Sequence, residues 1–82
     1  SYKKYDIFKY DVESLKEKVE SLEEYGNQGV KVAEKVGELI EDGEIEEARE
    51  QINEYMADER YEYMPDSLQG AFYDYMLQIN FR

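Results

Sequence analysis

The chain has 82 residues, with 10 Lys+Arg against 21 Asp+Glu and a net charge of −11. That balance argues against binding nucleic acid directly or an anionic membrane, since both need clustered cations. With no Cys, no His and no Trp, the chain lacks disulfides, thiolate or imidazole metal ligands and the commonest general bases, so no enzyme and no cofactor are expected.

No apolar run approaches the roughly 18 residues of a membrane span, and no signal-peptide core stands near Ser1. The expectation is a soluble cytoplasmic protein. A charged fraction of 38% favours disorder. Nine Tyr, a single Pro and periodic apolar residues favour a fold instead, and residues 1–82 read as one small helical domain.

In chain order, Tyr5, Phe8, Val12, Leu15, Val19 and Leu22 recur at alternating steps of 3 and 4, which predicts a helix with one apolar stripe. Asp6 or Asp11 can cap its start, and Gly26 after Tyr25 suits a left-handed end. Residues 2–10 are also compatible with a short strand. Gly26-Asn27-Gln28-Gly29 reads as a turn. A second helix follows from Val30 to Asp42, with Val32, Ala33, Val36, Leu39 and Ile40 inward.

Gly43 separates it from a third helix, Glu44 to Glu59, with Ile45, Ala48, Ile52, Tyr55 and Met56 on one arc. The short connection makes these two helices antiparallel neighbours. Residues 60–64 read as a connection. Pro65 then opens a fourth helix, capped by Asp66 or Ser67, with Leu68, Ala71, Phe72, Tyr75 and Ile79 inward. Leu77, Ile79 and Phe81 also alternate, which leaves a terminal strand paired with residues 2–10 as the alternative. The fold class is mainly α: a small antiparallel domain of three or four helices.

The acids are unevenly placed. Residues 1–33 hold seven acids and six bases, whereas residues 34–82 hold fourteen acids and four bases. Within 34–62 only Lys35, Arg49 and Arg60 oppose twelve acids. A solvated helical face explains acidity as such. It does not explain like charges at i,i+4, as in Glu46–Glu50, Glu50–Glu54 and Glu54–Asp58, which cost a few tenths of a kcal/mol each. A row of carboxylates spaced like the phosphates of a nucleic-acid strand would explain them. Glu47, Glu50, Glu54 and Asp58 are the candidate phosphate mimics, with Glu34, Glu38, Glu41 and Asp42 extending the surface.

Tyr61 and Tyr63 flank Glu62. A large ring with a polar tip favours contact surfaces, so both join the candidate binding residues. A metal site is not expected. Placing Gly43 at the sixth position of a calcium loop sets Arg49 where a bidentate carboxylate must stand, and a di-iron bundle needs His.

Gly43-Glu44-Ile45-Glu46-Glu47-Ala48 resembles the turn and second-helix start of a tetratricopeptide repeat, but nothing repeats along the chain. Met64-Pro65-Asp66-Ser67-Leu68-Gln69 followed by Asp74-Tyr75, with Ala48-Arg49, Ile52 and Glu54 upstream, resembles the antirestriction proteins of conjugative transposons. That family consists of acidic DNA mimics that inhibit type I restriction enzymes. The resemblance covers about 30 residues of this chain and implies no site residues.

The expected function is a non-catalytic acidic inhibitor, encoded by a phage or mobile element and acting in the bacterial cytoplasm. It would occupy the basic groove of a nucleic-acid-binding defence protein, such as a CRISPR or restriction effector. The alternative is a helical adaptor that binds through its aromatic C-terminal segment. Formation of a homodimer is left open.

Overall fold

The computed structural model describes the backbone of residues 2–81 and the side chains of residues 12–81. It is mainly helical: α1 spans Tyr2–Glu41, α2 Ile45–Met56 and α3 Asp66–Asn80, with a 3-10 turn at Glu59–Tyr63 between α2 and α3. There is no strand among the described residues, so the alternative of paired terminal strands is set aside.

The turn expected at residues 26–29 does not form, and the first two expected helices are one helix of 40 residues. A glycine inside a helix costs about 1 kcal/mol relative to alanine. Here that cost is offset by packing. Gly29 is buried. A Cβ there would sit 2.7 Å from Cζ of Tyr55 and 2.8 Å from Cδ2 of Leu68. The glycines thus mark where other elements lie close against α1, and not where the chain turns.

The turn read at Gly43 does form. Gly43 has a φ of 81°, which only glycine adopts freely. Its N–H donates to the carbonyl of Ile40, and the N–H of Glu44 donates to that of Leu39 at 2.8 Å. These two bonds make the Schellman end of a helix and satisfy carbonyls that would otherwise lack donors. After it α2 folds back, so that Tyr55 lies against Tyr25.

α2 ends at Met56, short of the expected Glu59. Asp58 takes an extended backbone, and its side chain accepts the N–H of Arg60 to cap the 3-10 turn. Pro65 is the N-cap of α3, and neither Asp66 nor Ser67 serves as a side-chain cap. Gln69 ties the two elements together. Its Nε2 donates to the carbonyls of Tyr61 at 3.1 Å and Met64 at 2.9 Å.

One core joins all three helices over the C-terminal half of α1. Val36, Ala48, Ile52 and Phe72 are fully buried, with Tyr25, Leu39, Ile40, Tyr55, Met64 and Ile79 around them. Each large aliphatic or aromatic side chain so buried contributes roughly 1.5–3 kcal/mol. The rings of Tyr25, Tyr55 and Phe72 form a continuous stack, with centroids 4.2 Å and 4.9 Å apart. The N-terminal half of α1 extends past this core, and the molecule measures 60 × 18 × 18 Å.

Candidate functional site

α2 buries Ala48, Ile52 and Tyr55, and the helical period therefore turns Glu47, Glu50 and Glu54 outward. All three are exposed. They take part in no ion pair among the described residues, where the pairs are Arg49–Glu46 at 3.1 Å and Arg60–Asp58 at 2.7 Å. With 12 residues, α2 is about 18 Å long. Glu46, Glu47, Glu50 and Glu54 give it one carboxylate per roughly 4.5 Å, sparser than a helix reaching Glu59 would have shown.

Asp58 stands apart from this row. It is half-buried, and its two carboxylate oxygens accept from Nε of Arg60 at 3.0 Å and Nη2 at 2.7 Å. Hydrogen bonds from the Arg60 side chain and backbone hold its carboxyl down at about 2. Arg60 also donates from Nη1 to Oγ of Ser21 at 3.0 Å. Its guanidinium lies 4.6 Å from the centroid of the Tyr25 ring, within cation–π range. Asp58 therefore anchors the 3-10 turn to α1 and is not an open carboxylate like its neighbours on α2.

Glu34, Glu38, Glu41 and Asp42 are exposed as well. The first three line a groove with Gly37, Tyr75 and Gln78, on the α3 side of α1. Glu54 and Asp58 line a different groove, with Tyr25, Gln28, Val32 and Gln51. The expected acids thus fall into two patches and not one continuous face. No group of acids among the described residues is arranged to hold a metal ion.

The tyrosines divide. Tyr61 is half-buried and sets its ring edge-on to Tyr55 and Phe72, at 6.0 Å and 6.1 Å. It is part of the core margin. Tyr63 is exposed beside Glu62. Tyr25 is among the most buried residues. Its hydroxyl donates to the carbonyl of Tyr55, and the Tyr55 hydroxyl donates to the carbonyl of Tyr25 at 2.7 Å. Burial pushes both phenols above their usual range.

Sequence reasoning missed this clasp, the Asp58–Arg60 pair and the buried Gly29. One signal was available. Arg60 is one of three cations against the twelve acids of residues 34–62, and Asp58, two residues before it, is an acid within easy reach.

No helix among the described residues is long and apolar enough to cross a membrane. Comparison with known proteins finds no matching family model, no matching curated protein and no matching solved structure.

Proposed function

We propose that the protein is a non-catalytic acidic inhibitor that occupies the Lys/Arg groove of a nucleic-acid-binding bacterial protein. A phage or mobile element would encode it, and a restriction or CRISPR effector is the natural target class. The observation that carries this reading is the row Glu47, Glu50 and Glu54, exposed on α2 and without ion pairs. Mutual repulsion along the row opposes helix formation, and attraction to a basic groove is the compensation a binding role supplies. The second patch at Glu34, Glu38 and Glu41 adds a further set of charges. The resemblance of residues 64–69 to antirestriction DNA mimics points the same way.

The test is a competition assay between the protein and DNA or RNA for a candidate effector. Replacing Glu47, Glu50 and Glu54 by Lys moves the net charge from −11 to −5, since each change adds two. Asp58 is left in place because its loss would strand Arg60. The reversed protein should keep its helical circular dichroism and fail to displace nucleic acid. Displacement by the native protein should also weaken steeply with salt. Full displacement by the well-folded reversed protein would reject mimicry by α2.

A second reading is an adaptor that docks through α3. Tyr73, Leu77 and Phe81 recur at i, i+4 and i+8 and are all exposed. In that case Tyr73→Ala with Phe81→Ala is the damaging pair, and binding depends little on salt.

A further inference from the structure

From Val12 to Val19 the stripe that opens the sequence is left uncovered by the fold. Val12, Leu15 and Val19 are 42%, 58% and 49% exposed, whereas Leu22, next on the stripe, packs against the core. The stripe ends at a step formed by the 3-10 turn. Leu15, Val19, Leu22, Glu59, Glu62 and Tyr63 are among the residues that meet there. Positions 5, 8, 12, 15, 19 and 22 are also the a and d positions of three heptads, the pattern of a helix that packs along another helix.

We propose that this half of α1 pairs with the same half of a second copy of the chain, in antiparallel orientation. The fold sets the orientation. Beyond Leu22, which is only partly buried, α2, the 3-10 turn and α3 lie over the apolar face of α1. A parallel pair would force both sets between two helix axes only about 8–10 Å apart. An antiparallel pair places them at opposite ends.

The register follows from the spacing. Aligning each position i with 27 − i of the second copy sets 5 against 22, 8 against 19 and 12 against 15, so every apolar position meets another.

Charge supports a second copy as the occupant. Residues 1–22 carry five acids and five bases, so two of these segments can approach without net repulsion. The remaining net charge of −11 per chain is carried by residues 23–82, which the antiparallel arrangement holds apart. The same register aligns Lys3 and Lys4 with Glu24 and Glu23 of the second copy, beside the acidic step at Glu59 and Glu62. It also sets Asp11 against Lys16 of the second copy. Lys9 against Lys18 is the one like-charged pair in this register, and repulsion between two lysines off the apolar stripe is small in water.

The experiment combines sedimentation equilibrium with disulfide trapping, for which a chain without Cys is a clean background. The native chain should sediment as a dimer whose fraction rises with concentration. Leu15→Asp should abolish the dimer while the core, which Leu15 does not enter, stays folded by circular dichroism. Under mild oxidation, a mixture of Val12→Cys and Leu15→Cys chains should form the mixed disulfide. Val19→Cys alone should not cross-link, because its two copies lie eleven residues, or about 16 Å, out of register. A monomer at every concentration overturns the proposal, including the case where the stripe serves an unrelated partner. Ready cross-linking of Val19→Cys to itself overturns it too, since that is the parallel arrangement.

Discussion

Gly29 shows how one missing methyl group fixes the fold. Its hydrogen lets the Tyr55 hydroxyl reach the backbone of α1, and Leu68 closes over the same spot. Gly29→Ala gains about 1 kcal/mol of helix propensity. It loses roughly 1–3 kcal/mol to overpacking and about 1 kcal/mol for each hydroxyl bond it displaces. The net should be destabilising by on the order of 2 kcal/mol in urea denaturation. Gly70 is the control. It lies in α3 with nothing within 4 Å of an added Cβ, so Gly70→Ala should stabilise by about 0.5–1 kcal/mol. Asp58 gives the second test at this scale. Its folded carboxyl titrates at about 2 against an ordinary 3.8. A depressed pKa contributes stability that is complete above the unfolded value and disappears as pH falls through the folded one. Melting followed from pH 5 to pH 2 should therefore show a loss below about pH 4 that Asp58→Asn lacks. Nothing in the one-letter sequence distinguishes Gly29 as buried from Gly70 as exposed. Both sit beside residues with periodic apolar neighbours, and only the tertiary approach of Tyr55 separates them.

At the scale of elements, what was legible was whatever local chemistry decides. The 3.6-residue period placed the inward faces of α2 and α3, and Gly43 placed the turn, because left-handed backbone is a local demand. The end of the third expected helix was less legible. Periodicity continued through Asp58, but Asp58 binds the N–H of Arg60 and opens a 3-10 turn, a competition that apolar counting does not register. The first helix differs from its expectation for the opposite reason: its glycines look like punctuation until α2 and α3 are seen against them. The candidate site divides along the same line. Exposure of Glu47, Glu50 and Glu54 follows from the period of α2. The separation of the Glu34 patch from them depends on which flank of α1 each neighbouring helix takes, and no local pattern states that.

For the whole molecule, the radius of gyration is 17.3 Å, against roughly 12 Å for a compact chain of this length. The excess comes from the length of α1 that extends past the core. Charge is also polarised along the long axis, neutral over residues 1–22 and strongly acidic beyond. Self-repulsion at the acidic end opposes the compact state. Raising monovalent salt to about 0.3 M, where the Debye length falls to roughly 6 Å, should therefore raise Tm. An unchanged Tm would mean that repulsion is a minor term. The self-association proposed for α1 bears on the same measurement, so the scan belongs at low protein concentration, where mass action cannot contribute.

The reciprocal bonds between Tyr25 and Tyr55 have an optical consequence. The chain has no Trp, so its ultraviolet emission comes from tyrosine. A phenol that donates to a peptide carbonyl loses excitation to that bond and emits weakly. Among the described residues Tyr25 and Tyr55 are held this way, each by the helix that carries the other, and Tyr61 donates to the carbonyl of Gln69 at 3.4 Å. The brightness of the native protein therefore gauges whether α1, α2 and α3 are packed together, with no label attached and no residue changed.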